Sequence, residues 1–355
     1  MRRGPLLAAI LAAAAAVSWA TPEQDKAQAD RQFQALSSGL PEAAPPVKAP
    51  SPQPLDEQSV PADLQKESQL WNTGLQLSRL PLADLKATFN FVVIGDAEPG
   101  RFIWERGLWG EKGVFRKQIK AIASEPAAFV LQLGDMVSRG IAGNYRLFYA
   151  DLDDANLAVP YLTTVGNHDR HWPHGDTDHA MYDALFGKSD YSFDVGGWRF
   201  VSLDSSGEKL TGAQLDWLDH VLDTKKHKVV YTHMPPKTMK EWTLGVTGIS
   251  EGADRYMDIL SKRRVDRVYV GHIHGYGIAR FKGVNFVLSG CGGSPLYPMP
   301  VKRFYHYITA SAGPEGLTET VHPLESAPFE IAWPQGGDFI RLDSKVPAED
   351  PSEDQ

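Results

Sequence analysis

The order of strand and helix signals predicts an α/β domain whose strands gather into two sheets with helices outside. Three observations carry that reading. Short apolar runs of strand length alternate with helix-length periodic segments from Phe89 onward. Several of those runs stop at polar punctuation: Gly95-Asp96, Gly134-Asp135, Gly166-Asn167-His168-Asp169, Thr232-His233 and Gly271-His272-Ile273-His274. The second half then changes rhythm to a hairpin and Gly-rich turns.

The central stretch is Val130-Leu131-Gln132-Leu133-Gly134-Asp135-Met136-Val137, a buried strand that ends in a carboxylate. Open α/β sheets keep their ligands at the carboxyl ends of strands, and a carboxylate placed there can bridge two metal ions. Phe89 to Ile94 opens the domain as a strand and a helix follows from about Val114 to Ser124. Tyr145 to Leu157 reads as a helix and Pro160 to Val165 as a strand. Tyr191 to Asp204 reads as a hairpin turning at Gly196-Gly197, and Thr211 as the N-cap of a helix carrying Leu215, Trp217, Leu218 and Leu222. Strands at Lys228–Tyr231 and Arg267–Val270 flank a helix from Arg255 to Arg263. Further strands lie near Gly277–Phe281, Val284–Leu288 and His306–Ala310, and Phe329 to Trp333 is an edge segment.

The remaining segments bound the domain. Residues 1–20 carry Arg2 and Arg3, an apolar run from Pro5 to Val17 and small residues at Ser18 and Ala20, the pattern of a cleavable secretory signal. The apolar run is short for a bilayer span, so no permanent membrane span is expected after cleavage and the mature chain is periplasmic or secreted. Residues 21–85 read as a Pro/Ala-rich disordered tether with a docking segment from about Leu64 to Leu85. Residues 86–312 form the domain, and 313–355 an irregular extension ending in an acidic tail.

Hydrophobic content of 42% and charged content of 23% over 355 residues are those of a globular protein with a sizeable core. Loss of the two signal arginines takes the net charge from −8 to −10, a poor basis for nucleic acid as a stable partner. An anionic substrate stays open, because a metal centre reverses the sign locally. Cys291 is the only cysteine, so no internal disulfide is available and a small buried role is expected.

Asp96, Asp135, Asn167, His233, His272 and His274 each stand just after a predicted strand. Any one of them alone is a common turn or surface residue. Six at successive strand ends would be delivered to one sheet edge, and carboxylate, amide oxygen and imidazole are the ligand types of a two-metal site. His272 and His274 are two apart, so an extended segment would point both the same way.

The five motifs, in that order, resemble the motif series of the calcineurin-like metallophosphoesterases over about Phe89 to Tyr297. The resemblance implies a four-layer αββα sandwich of two mixed β-sheets flanked by helices, with a binuclear centre of two divalent or trivalent ions of manganese, iron, zinc or magnesium. It places Asp96, Asp135 and His274 on one metal and Asp135, Asn167, His233 and His272 on the other. A metal-activated hydroxide would attack a phosphorylated small molecule in line, with His168 as general acid or hydrogen-bond donor. The substrate of such a centre is a phosphate ester or, alternatively, a diester or pyrophosphate linkage of nucleotides or envelope lipids, and a chain of this fold without turnover would be a metal-binding envelope module.

Two positions depart from the family. Its first motif is usually Asp-x-His, whereas this chain has Asp96-Ala97-Glu98. In an extended segment Glu98 points with Asp96 and replaces the imidazole; otherwise it lies in a loop shaped by Pro99 and Gly100 and binds nothing. Gly134-Asp135-Met136-Val137-Ser138-Arg139-Gly140 resembles the protein serine/threonine phosphatase motif, but Ser138 stands where an Asp orients the motif histidine. Arg139 matches an arginine that contacts phosphate, and is equally common as a turn residue. His171, Trp172, His174, Asp176, Asp178 and His179 form a loop that either overhangs the metals or is a solvated polar loop. Arg101, Trp104, Arg106 and Trp109 form a similar insertion.

Overall fold

Phe91 and Val93 point one way and Val92 and Ile94 the other, yet all four are fully buried. A strand buried on both faces needs a layer on each side, and that requirement sets the architecture. In a computed structural model that describes residues 60–81, 84, 86–100, 113–173, 177–296 and 303–343, these layers are a second sheet and a set of helices. The described residues belong to one compact unit, Pro54–Gln355. The expected signal segment, the tether through residue 59, the insertion at 101–112 and the acidic tail lie outside the described residues.

The first sheet is built on β1 (Phe89–Ile94), β2 (Val130–Gln132) and β3 (Tyr161–Thr163), parallel in the register Val92, Val130, Tyr161. On the other side of β1 run antiparallel β10 (His306–Gly313), β11 (Gly316–Pro323) and β12 (Phe329–Glu330), six strands in all. The second sheet has seven strands. Its parallel centre is β5 (Trp198–Leu203), β6 (His227–Thr232), β7 (Arg267–Val270) and β9 (Val284–Ser289). Antiparallel β4 (Tyr191–Val195) closes one edge, and β8 (Tyr276–Phe281) with β13 (Phe339–Asp343) the other. The expected hairpin at Gly196-Gly197 is the β4–β5 pair.

Phe91, Val93, Leu131, Phe200, Val229 and Tyr269 meet between the sheets. Val92, Ile94, Val130 and Tyr161 pack outward on α1 (Ala62–Trp71), α3 (Val114–Ile122), α4 (Ala142–Ala155) and α5 (Ala180–Phe186). The second sheet turns Val230, Val268 and Val270 outward onto α6 (Gly212–Val221), α7 (Lys240–Thr243) and α8 (Ala253–Lys262). The four layers expected of the resemblance are therefore present. Thr211 caps α6 as expected, in a reciprocal capping box with Gln214.

Two segments differ from their sequence expectation. Residues 62–78 form α1 and α2 (Thr73–Ser78), where the mixed apolar spacing left a helix open. Leu64 and Trp71 enter the outer core, and Gln76 Oε1 accepts the Tyr161 amide at 3.0 Å, so this segment occupies the edge strand β3. Residues 316–343, expected to be irregular apart from the edge segment at Phe329–Trp333, carry β11 and β13 besides the edge strand β12. The strand signal of β11 is broken because an inward position is Glu319 instead of an apolar residue. Glu319 is buried between the sheets and takes both Arg267 Nε, at 2.6 Å, and Arg267 Nη2, at 2.9 Å, with Tyr269 Oη at 2.8 Å. A buried charge of this kind is tolerated only with its partners in place.

Candidate metal centre

The strands β1, β2, β6 and β7 all end at one edge, and each hands over directly to a residue of the centre. The chain turns sharply there: Asp96, Glu98, Asp135 and His272 have φ of 57°, 40°, 51° and 69°. Non-glycine residues in this left-handed region cost conformational energy and concentrate at functional sites. The turns are cross-braced, with the Asp96 amide donating to Gly134 O at 3.1 Å and the Glu98 amide to Asp135 O at 2.9 Å. Glycine precedes several of these residues because the loops nearly touch. A Cβ on Gly166 would overlap the Asp135 carboxylate and amide, and one on Gly271 the Asp96 carboxylate.

Among the described residues, three groups bring ligand atoms within 4.8 Å of one another: Asp135, His233 and His272; Asp96, Glu98 and His274; and Glu98, Asp135 and His168. Asn167 belongs with the first, its Oδ1 lying 2.9 Å from His272 Nδ1 and 3.0 Å from His233 Nε2. His274 Nε2 is 3.7 Å from both Asp96 Oδ1 and Glu98 Oε1. The geometry thus brings together Asp96, Glu98, Asp135, Asn167, His168, His233, His272 and His274. Glu98 is completely buried and faces the centre. Neither Asp96–Glu98 nor His272–His274 is the extended pair that alternation predicts, and left-handed turns produce the convergence instead.

The electrostatics fit a cationic occupant. Asp96, Glu98 and Asp135 are three carboxylates buried side by side. Burial pushes the Asp96 carboxyl well above its ordinary range, with Asp135 and Glu98 adding to the rise against His233. Burial also acts upward on Asp135, but His233 and His168 outweigh it and hold that carboxylate ionised. Burial and the neighbouring His233 keep His272 well below its ordinary value, so its imidazole is neutral, the form that ligates. Carboxylates, an amide oxygen and imidazoles in this proportion suit borderline to hard divalent or trivalent ions.

The outer contacts fix the ligand orientations. His233 Nδ1 donates to Leu133 O at 2.8 Å and His274 Nδ1 to Pro295 O at 2.9 Å, leaving each Nε2 toward the centre. His272 is turned over: Nδ1 faces Asn167, and Nε2 lies 2.5 Å from Thr247 Oγ1. His168 donates its amide to Asp135 Oδ1 at 2.8 Å. Its side chain, 18% exposed, stands on the open side with Nε2 3.7 Å from Glu98 Oε1.

Sequence reasoning missed two residues here. Asp169 accepts the amides of Gly166 at 2.8 Å, Met136 at 3.1 Å and Val137 at 3.3 Å, tying the two central turns together. Burial and then Asp135 raise its carboxyl to about 8. Its position beside Asn167-His168 was the available signal. Thr247 had none, since its partner is 25 residues away.

Arg139 is held on the neighbouring loop. Its guanidinium lies 3.5 Å from the Trp172 ring centroid, and Nε donates to His171 O at 2.8 Å. In the His-rich loop, residues 174–176 lie outside the described residues. His171 contacts Arg139, and His179 sits between Asp183 and Asp204; neither joins a ligand group. Cys291 is buried, with burial raising its thiol pKa, as a structural cysteine should be.

The fold and this centre define a metallophosphoesterase. The calcineurin-like phosphoesterase family model matches residues 89–276, and the chain belongs to that family. An Arabidopsis thaliana protein named as a probable inactive purple acid phosphatase is 25% identical over 215 residues, 48% of this chain and 35% of that one. A probable cyclic nucleotide phosphodiesterase of Synechococcus is 27% identical over 191 residues, 50% of this chain and 61% of that one. A nucleotide pyrophosphatase/phosphodiesterase of Hordeum vulgare is 25% identical over 215 residues, 47% of this chain and 58% of that one. The chain thus spans from about a third to three fifths of the length of these relatives. Among solved structures, purple acid phosphatase from yellow lupin superposes with a TM-score of 0.57 at 17% identity, covering 71% of this chain and 54% of that one. PhoD superposes at 0.52 and 12% identity, covering 72% of this chain and 74% of that one. At these identities the two structures support the fold.

Proposed function

We propose that this chain is an exported phosphoesterase with a two-ion centre, in which Asp96, Glu98 and His274 hold one ion, Asn167, His233 and His272 the other, and Asp135 both. The observation that carries this reading is the double membership of Asp135, grouped with His233 and His272 on one side and with Glu98 on the other. When bound, the ions supply Lewis-acid charge that draws in a phosphoryl group and favours in-line attack by water on phosphorus.

The chain's own residues do the rest. Asp135 sets the spacing of the two ligand groups and, through the His168 amide, positions the histidine. His168 holds a proton at Nε2 on the open side and passes it to the leaving oxygen as the bond from phosphorus to that oxygen breaks. Asp169 keeps both turns in register. Arg139, stacked on Trp172, either clamps a phosphoryl oxygen or shapes the rim for the ester's other side.

The named activities of the Synechococcus and Hordeum relatives favour a diester or pyrophosphate substrate as the second reading. The Arabidopsis relative's name supports a third, a metal-binding module without turnover. Retention of His168 at the open side supports turnover. Among the described residues no helix is long and apolar enough to cross a membrane. Export rests on residues 1–20, and an exported product beginning near Thr21 is its test. For the activity, metal analysis of the exported protein is followed by phosphomonoesters, phosphodiesters and nucleotide pyrophosphates with manganese, zinc, iron and magnesium. Hydrolysis of one ester class is expected; no turnover with both sites occupied supports the binding module instead.

A further inference from the structure

At the opposite end of the seven-stranded sheet lies a concentration of positive charge that phosphoester hydrolysis does not use. Lys225, Lys226, Lys228, Lys262, Arg263 and Arg264, with Asp223 and Asp266, line an open cavity of about 450 Å³. β6 runs from His227 beside this cavity to Thr232 beside the metal centre, and β7 from Arg267 to Val270 in the same direction. At roughly 3.3 Å per residue the length of β6 puts about 17 Å between the two places.

Some of this charge has an ordinary explanation. Lys262 and Arg263 stand at the carboxyl end of α8, where cations complement the helix dipole. Both also pair with Asp219, at 3.3 and 2.6 Å, and Arg263 reaches Asp223 at 2.6 Å. Lys226 pairs with Asp194 at 3.1 Å. Asp266 directs one oxygen to His227 Nδ1, at 2.9 Å, and the other to the Lys228 amide, at 2.8 Å. Among the described residues Lys225, Lys228 and Arg264 have no ion pair.

Lys228 is the informative one. It sits on a strand, is only 8% exposed, and has Arg263 and Arg264 as like-charged neighbours. Burial holds its ammonium below its ordinary pKa, with Asp266 and Asp223 acting upward and the two guanidinium groups downward. The lysine stem is covered while its ammonium faces a cavity with more ammonium and guanidinium groups than carboxylates, an excess of positive charge that an anion can complete in a chain whose net charge is −8.

We propose that this pocket binds a multiply charged oxyanion of the phosphate class, with Lys228 at its floor and Lys225 and Arg264 at its rim. The ligand is either a free phosphate or pyrophosphate, or the phosphomonoester headgroup of a lipid. All three present the same oxygen-rich dianionic surface to ammonium and guanidinium donors. The proposal stands apart from the reaction assigned to the metal centre, because no residue is shared.

Calorimetric titration of the metal-loaded full chain at low ionic strength tests it, with inorganic phosphate and pyrophosphate as probes. Sedimentation with phosphatidylcholine vesicles, with and without phosphatidic acid, runs in parallel. The expected result is a binding class that weakens tenfold or more in the double variant Lys225→Ala/Arg264→Gln and in Lys228→Met. Added salt should weaken it too, while metal content and kcat stay unchanged. Loss seen with the soluble anions assigns a free oxyanion; loss seen with the phosphatidic acid vesicles alone assigns a headgroup. The double variant changes two solvent-facing rim groups, so it keeps the test valid if Lys228→Met folds poorly. Identical isotherms and identical vesicle partition for parent and double variant would overturn the proposal, whatever the metal centre does.

Discussion

The Nδ1 of His168 lies 2.9 Å from the main-chain carbonyl oxygen of Ser138. That carbonyl accepts a hydrogen bond from Nδ1–H and so directs Nε2 to the open side of the centre. A backbone group thus does what the resemblance to the protein serine/threonine phosphatase motif would assign to an aspartate side chain at this position. The Ser138 hydroxyl is engaged elsewhere, accepting Asn144 Nδ2 at 3.3 Å. Ser138→Ala should therefore leave kcat within about twofold and the pH–rate profile unmoved, whereas His168→Ala should lower kcat by about a hundredfold or more. Metal content of His168→Ala, measured beside its kinetics, should equal that of the parent. Metal loss in that variant would make His168 a ligand instead of an acid.

Thr247 Oγ1, 2.5 Å from His272 Nε2, fixes the unusual tautomer by which this histidine offers Nδ1. Outer partners of metal ligands typically contribute about 10- to 100-fold in affinity. Thr247→Ala should weaken one ion by that range in chelator competition, and Thr247→Ser should restore it. Equal affinities in all three proteins would leave Thr247 a packing residue only.

Glu98 adds a third buried carboxylate to this cluster, at the position where the motif it resembles usually has a histidine. Glu98→Ala should release one ion and retain the other. Glu98→His should shift preference from manganese or magnesium toward zinc, because imidazole is the softer ligand. Metal stoichiometry after dialysis against each ion measures both effects, and unaltered occupancy in Glu98→Ala would return Glu98 to a loop role.

The strands of the centre were legible because they are short, largely apolar and run into Gly-Asp, Gly-Asn, Thr-His or Gly-His pairs. Asp135 is the clearest case. The turns beyond them were not legible: alternation placed Glu98 beside Asp96 by extension, but loop–loop hydrogen bonds fold both into left-handed turns. β11 was hidden by Glu319, whose partner Arg267 lies 52 residues away in the other sheet. Thr247 illustrates the same limit, since a threonine in a loop carries no local mark of the histidine it holds.

His179 offers a pH test away from the metals. Its Nδ1 is 3.1 Å from Asp183 and its Nε2 3.2 Å from Asp204. Burial pushes its pKa down, but the two carboxylates outweigh this and raise it to about 10. A pKa raised on folding stabilises fully below the unfolded value of about 6.5, and the gain disappears as pH rises through the folded one. The Tm difference between the parent and His179→Gln should be largest near pH 6 and close toward pH 10. A gap independent of pH would mean that the ion pairs contribute nothing.

The double membership of Asp135 is tested most directly by metal analysis of Asp135→Asn, with turnover measured on the same sample. Loss of both ions, accompanied by at least a hundredfold loss of kcat/KM, is the predicted result, since the proposed function has this one carboxylate serve both ions. Two ions per chain with unchanged turnover would contradict it.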